Sequence, residues 1–175
     1  MILSHSQIII RLLAATMIGC LLGFERRHRG KQVGVRTHIL VSVSACCIAM
    51  VAAFGFMEFD APYNIDHGRP ITGILTGIGF LGAGIIWKDN QGTIKGITTA
   101  ANIWTSAVLG IIAGMGYFFL MFSALVIVFI TLELSYWQEL ILEKKNSHKK
   151  QEQIPFDTEM KNCDMVEQEP EKLAD

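Results

Sequence analysis

TGILTGIGFLGAGIIWKDNQGTIKGITTAANIW, residues Thr72–Trp104, is the stretch on which the fold turns. It is apolar enough to sit in lipid, yet glycine stands at positions 73, 77, 79, 82 and 84. A glycine costs roughly 1 kcal/mol relative to alanine at an interior helical position. In a membrane the same residue lets neighbouring backbones approach closely, because no side chain holds them apart. The stretch therefore predicts the tightly packed centre of a bundle of membrane helices.

Composition points the same way. Hydrophobic residues make up 51% of the 175-residue chain and charged ones 18%, with a formal net charge of −1. Mean hydropathy is +0.38. Soluble domains carry about 25% charged residues, and here the deficit is concentrated in long apolar runs that approach the ~20 residues needed to cross a bilayer. We read five spans: about Ser6–Gly23, Thr37–Met57, Ile71–Trp87, Ile97–Met115 and Tyr117–Trp137. The last two are nearly continuous, so Gly114-Met115-Gly116 must form a tight reversal. The fold class expected is an all-α integral membrane protein, a five-helix transmembrane bundle.

Basic residues set the orientation. Arg26, Arg27, Arg29, Lys31 and Arg36 separate the first two spans, whereas the next loop holds only Arg69 among Glu58, Asp60 and Asp66. Lys88 and Lys95 follow the third span, and six lysines follow the fifth. Positive charge collects in the cytoplasmic loops of membrane proteins. The N-terminus is expected outside and the C-terminus in the cytoplasm of a bacterial cell (inner) membrane, with the chain multi-pass. The first span is not read as a cleaved signal, since its basic cluster follows the apolar run instead of preceding it. Met17-Ile18-Gly19-Cys20 faintly resembles a lipoprotein box, but more apolar residues follow Cys20.

Helical spacing sorts the faces. Ala15, Gly19 and Gly23 form one small stripe, Ser42, Cys46, Ala49 and Ala53 a second, and Asn102, Ser106, Gly110 and Gly114 a third. Gly73 and Gly77 pair on the third span, with Gly84 further along the same face. We expect Gly19, Gly23, Gly73, Gly77, Gly79, Gly82 and Gly84 to be helix-packing glycines. Span five has no glycine and is bulky nearly all round, which suits a peripheral helix against lipid or a docking surface for another membrane protein. Residues 1–139 are read as the transmembrane domain. Residues 140–175 are read as a charged cytoplasmic tail, largely disordered and too short and polar to build a second core.

Polar groups within spans are functional suspects. Arg11 lies about one turn inside the outer boundary and is expected to snorkel outward. Glu25 closes span one and Arg36 opens span two, with Thr37-His38 just behind. The loop Arg26–Val35 would let Glu25 and Arg36 meet, as an ion pair closing the helix hairpin or as a ligand site. Thr98, Thr99 and Asn102 would hydrogen-bond across helices as glue or line a site. Glu25, Arg26, Arg36, Thr37, Thr98, Thr99 and Asn102 are thus the candidate functional polar residues.

No carboxylate sits mid-membrane to replace the water lost by Mg²⁺ or Ca²⁺. There is no Ser/His/Asp spacing, HExxH or Walker loop, so an enzyme is not expected. No catalytic residue, metal site or cofactor is assigned. Cys20, Cys46, Cys47 and Cys163 show no metal-ligand spacing and read as small hydrophobes or, for Cys163, a tail residue. The basic loop does not call for nucleic acid, because orientation and anionic lipid account for it.

Three blocks carry a resemblance: GFERRHRGKQVGVRTHIL at Gly23–Leu40, TGIGFLGAGII at Thr76–Ile86 and KGITTAANIWTSAVLG at Lys95–Gly110. In order and spacing they resemble the MgtC/SapB family of bacterial membrane proteins, over roughly Ile8–Trp137. The short, SapB-like branch is the better match, because long members carry a soluble ACT-like domain where this chain has a charged tail. The resemblance implies a compact membrane domain and a part in magnesium homeostasis and stress adaptation, in low magnesium, acid or inside a host, where members are virulence-associated. It also implies a regulator acting on a membrane complex such as ATP synthase. The alternative is a transporter or channel for magnesium or another small solute. The expected partners are the lipid bilayer, such a complex and a second copy of the chain.

Overall fold

The computed structural model describes residues 3–55, 66–90 and 92–134. The chain divides into two compact units, Met1–Val126 and Ile127–Asp175. The first contains α1 (His5–His28), α2 (Val35–Met50), α3 (Arg69–Ile85), a two-stranded hairpin of β1 (Trp87–Lys88) and β2 (Ile94–Lys95), and α4 (Ile97–Met115). A further apolar helix, α5, covers Phe118–Leu134. Among the described residues, three helical segments are long and apolar enough to cross a membrane: His5–His28, Val35–Gly55 and Ile97–Met115. Arg69–Ile85 and Phe118–Leu134 are shorter apolar helices. The tail expected from residue 140 onward lies outside the described residues.

Each boundary has a local cause. At the start of α1 the Ser4 N–H donates to Gln7 Oε1 at 3.2 Å, which satisfies an amide the helix cannot. Pro70 stands in the first turn of α3, where its missing N–H costs nothing. The reversal expected at Gly114–Gly116 is present. Gly116 adopts φ +87°, its N–H bonds to the carbonyls of Ile112 and Ala113, and the Tyr117 N–H bonds to that of Ile112. This left-handed cap closes α4 and lets α5 begin two residues later. Five residues beyond Met50, Val51–Gly55, form a π-helical turn. Wider winding there lets the Ala52 carbonyl accept from His67 Nδ1 at 2.7 Å.

The hairpin between α3 and α4 was not anticipated. Trp87 pairs with Lys95 and Lys88 with Ile94. Asp89 organises the turn: its side chain accepts from the Thr93 N–H at 3.0 Å and meets Lys95 Nζ at 2.9 Å. Gly96, at φ +93°, then turns the chain into α4, and a Cβ there would collide with the Ile85 carbonyl. The Lys95-Gly96 step of the third sequence block is therefore a backbone requirement.

The core is three helices thick. α1 and α2 are antiparallel: a Cβ at Gly19 would stand 2.5 Å from Ile39 Cα, and one at Gly23 2.5 Å from Val35 Cα. α2 and α4 run parallel. Ser106 meets His38, Gly110 meets Ser42 and Gly114 meets Cys46, each α4 residue facing the α2 residue 68 positions earlier. Glycine at 110 and 114 brings α4 onto the α2 backbone itself. Val41, Ala45 and Ala49 of α2 and Ile103, Ala107 and Ile111 of α4 fill the seam.

α3 packs differently from the expectation. Only Gly82 is buried, 3.5 Å from the Ala100 methyl by its virtual Cβ, while Gly73, Gly77, Gly79 and Gly84 have nothing within 4 Å. α3 meets the core through Ile71, Ile74, Leu75, Ile78 and Ile85. The physical reason is shape. Branched side chains cover more apolar surface than glycine, so they face the seam and the glycines fall on the outer side.

Within the first unit, α5 exposes Phe119 and Phe122 and contributes Met121 and Leu125 to an apolar groove of about 330 Å³ beside Ile10 and Met17 of α1. In the second unit, residues 127–134 continue as helix, with Thr131 Oγ donating to the Ile127 carbonyl at 2.9 Å.

Candidate functional site

Polar residues gather at the end of the bundle where α1 stops and α2 and α4 start. α1 runs five residues past the expected boundary at Gly23, and that extension places Glu25 and Arg26 on helix, with Arg29 as its C-cap. Glu25 receives both: Arg26 Nε bonds to Oε2, Arg26 Nη2 to Oε1 at 2.6 Å, and Arg29 Nε to Oε1 at 2.5 Å. The fork of Arg26 meets the carboxylate with two parallel bonds, the strongest geometry available to such a pair. The three side chains are 8%, 2% and 13% exposed in the order Glu25, Arg26, Arg29. Two guanidiniums on one carboxylate leave the cluster with one surplus positive charge.

The expected Glu25–Arg36 pair is not formed. Arg36 is exposed, and Glu25 is saturated within its own helix. The cause is the longer α1, which shortens the connecting loop and supplies Arg29 one turn from Glu25, the spacing at which side chains on a helix meet. Thr37 is also exposed and borders an apolar groove of about 380 Å³ shared with Phe80, Leu81, Gly84 and Ile103.

Along the α2–α4 seam the candidates divide. Thr98 is exposed, whereas Thr99 and Asn102 are buried at 7% and 3%. Ser106 is fully buried and its hydroxyl donates to the His38 carbonyl at 3.1 Å, the cross-helix bond that ties α4 to α2. His38 is fully buried too, with Nδ1 2.9 Å from the Gly34 carbonyl. A carbonyl only accepts, so Nδ1 carries the proton and Nε2 presents a lone pair in the neutral ring. Among the described residues, four buried side-chain polar atoms have no protein partner: His38 Nε2, Ser42 Oγ and both amide atoms of Asn102.

Sequence reasoning placed His38 behind Arg36, and Ser42 in a small-residue stripe, but gave neither a polar role. The available signal was their spacing, since Gly34, His38, Ser42 and Cys46 share one face at four-residue intervals, opposite Asn102, Ser106, Gly110 and Gly114. Arg11 was misread as well. It turns inward: Nη1 donates to the Gly114 carbonyl at 2.6 Å and the guanidinium lies 4.8 Å from the centre of the Phe54 ring. A cation at a helix C-terminus, bonded to a carbonyl the helix leaves open, is favoured by the helix dipole.

Among the described residues, no three His, Cys, Asp or Glu side chains come together as a metal-holding group. Cys46 is buried and donates to the Arg11 carbonyl at 3.6 Å, while Cys20 and Cys47 are exposed. Cys163 lies outside the described residues.

Apolar helices of spanning length, sealed by cross-helix glycine contacts and carrying their charge at the helix ends, define a helical membrane protein. The family model for the MgtC family matches residues 12–139, and the chain belongs to that family. It is 35% identical to protein SapB of Bacillus subtilis over 133 residues, 75% of this chain and 57% of that protein. Against the putative magnesium transporter YhiD of Escherichia coli it is 35% identical over 145 residues, 82% of this chain and 67% of the relative. Protein MgtC of Salmonella typhimurium is 38% identical over 110 residues, 63% of this chain and 44% of that protein. The chain thus spans between about two fifths and two thirds of the length of these relatives. No solved structure gives a significant match.

Proposed function

We propose that the protein is a multi-pass protein of the bacterial inner membrane, N-terminus outside and C-terminus cytoplasmic, that regulates another membrane complex during adaptation to low magnesium, acid or a host. The observation that carries this reading is the outer face of α3. Gly73, Gly77 and Gly84 stand open there, beside Phe80 at 81% exposure. Such a face admits a partner helix at backbone distance. ATP synthase is the complex the family resemblance implies. The orientation rests on the basic residues of Arg26–Arg36, where α1 turns into α2, and on Lys88 and Lys95 of the hairpin between α3 and α4, at the same end of the bundle.

The second reading, a magnesium transporter, is favoured by the name of the Escherichia coli relative. Glu25 weighs against it, since both its oxygens already hold guanidinium groups. The test uses Gly73→Leu and Gly77→Leu, for which the structure has room. We expect vesicles of purified protein to show no Mg²⁺ flux, and a membrane complex to co-purify with the parent but not with the two variants. Mg²⁺ flux that the same substitutions abolish would overturn the regulator reading.

A further inference from the structure

Hydroxyls on these helices follow one habit. Thr16, Thr72, Thr76, Thr105, Ser123 and Thr131 each donate to the carbonyl four residues earlier in their own helix. That is the usual refuge of a hydroxyl where water is scarce. Ser42 has lost it. Its carbonyl would be that of His38, which already accepts the helical N–H of Ser42 and, across the seam, the hydroxyl of Ser106. With both lone pairs of that oxygen taken, the Ser42 hydroxyl is left buried and unpaired.

The other unpaired atoms lie beside it. His38 occupies the turn before Ser42 on the same face of α2, and the bond from Nδ1 draws its ring back towards Gly34. The α2–α4 register places Asn102 level with Gly34, opposite that ring. At Gly34 a Cβ would meet nothing within 4 Å, so the backbone there leaves space. An acceptor (His38 Nε2), a donor and an acceptor (Asn102) and a hydroxyl (Ser42) therefore share two turns of one seam. Leaving four such atoms dry is costly, and a buried water that makes about three hydrogen bonds is the usual remedy.

We infer that the α2–α4 seam contains an internal water site, in which one water donates to His38 Nε2 and pairs with the Asn102 amide, and a further water links it to the Ser42 hydroxyl a turn along the seam. The ligand is water because the group facing Nε2 must donate, while Asn102 asks for a donor and an acceptor together. A cation could take the lone pairs of His38 Nε2 and Asn102 Oδ1 but would leave the Asn102 N–H groups without an acceptor, and an anion would do the reverse.

The test is water-edited solid-state NMR on the full-length protein in lipid vesicles, with nitrogen-15 in histidine, asparagine and alanine. Magnetisation from water is expected to reach His38 Nε2 and Asn102 Nδ2 nearly as fast as the exposed Asn90 amide. It should reach them at least tenfold faster than the amides of Ala45 and Ala107, which are buried in the same seam at 2% and 0% exposure. Asn102→Leu should cut the transfer to His38 several-fold, and His38 transfer should survive in Ser42→Ala. Transfer to wild-type His38 and Asn102 as slow as to Ala45 would overturn the inference, whether or not the variants fold. So would a direct hydrogen-bond coupling between Asn102 Nδ2 and His38 Nε2.

Discussion

Replacing Glu25 by glutamine should be the most damaging single change of charge in this protein, and replacing Arg36 the least. Glu25→Gln keeps the volume of the side chain but removes the charge that two guanidiniums share. Arg29 is 13% exposed and can swing to water, whereas Arg26, at 2%, cannot. The cost is then that of one buried cation losing its partner, about 3–5 kcal/mol. For a chain of this size each kcal/mol moves the melting temperature by roughly 2–4 °C, so the shift expected is about 6–20 °C downward. The double variant Glu25→Met/Arg26→Met should recover most of it, because removing both partners removes the unpaired charge as well. Arg36→Gln should leave the melting temperature within about 2 °C, as an exposed residue away from the ion pair is worth no more than ~0.5 kcal/mol. Thermal unfolding of the four proteins in one detergent provides the measurement. The charge swap Glu25→Arg/Arg36→Glu separates the alternatives: restoration of wild-type stability by the swap would refute the intrahelical cluster.

Two further predictions use the same assay. Gly19→Ala and Gly110→Ala push a methyl into the α2 backbone and should each lose about 1–3 kcal/mol, while Gly77→Ala and Gly84→Ala, which meet open space, should be neutral or slightly stabilising. Equal losses at all four positions would show that α3 buries its glycine face within this chain. Arg11→Gln should lose about 1.5–3 kcal/mol with the charge-assisted bond to Gly114. Arg11→Lys should recover part of it, keeping the charge but not the flat contact with Phe54.

What the sequence made legible was periodic. Span four was bounded at the residues α4 occupies, because Gly96 and Gly116 both punctuate it. Its stripe of Asn102, Ser106, Gly110 and Gly114 is the face that meets α2. The failures concern direction and partnership. Spacing shows that Gly73 and Gly77 share a face but not that Ile71, Ile74 and Ile78 would win the core side. Charge counting paired Glu25 with Arg36 across a loop, because hydropathy ended the helix where lipid would end. The backbone continued into the basic run, where Arg29 completes an i,i+4 pair. His38, next to Thr37 behind Arg36, was given no role because a single histidine carries no pattern; its burial appears only once α4 is laid against α2.

The bond from Arg11 to Gly114 has a consequence for how the protein is made. It joins residues 103 positions apart. Synthesis starts from the N-terminus, so the guanidinium enters the bilayer with the first helix, while its acceptor has yet to be translated. During that interval Arg11 must keep its charge among headgroups and interfacial water, as long basic side chains at helix ends do. The carbonyl of Gly114 becomes available only when α4 has been wound and stopped at Gly116. Transfer of Arg11 from the bilayer surface to that carbonyl therefore comes well after α1 has been made, and it ties α1 to the end of α4.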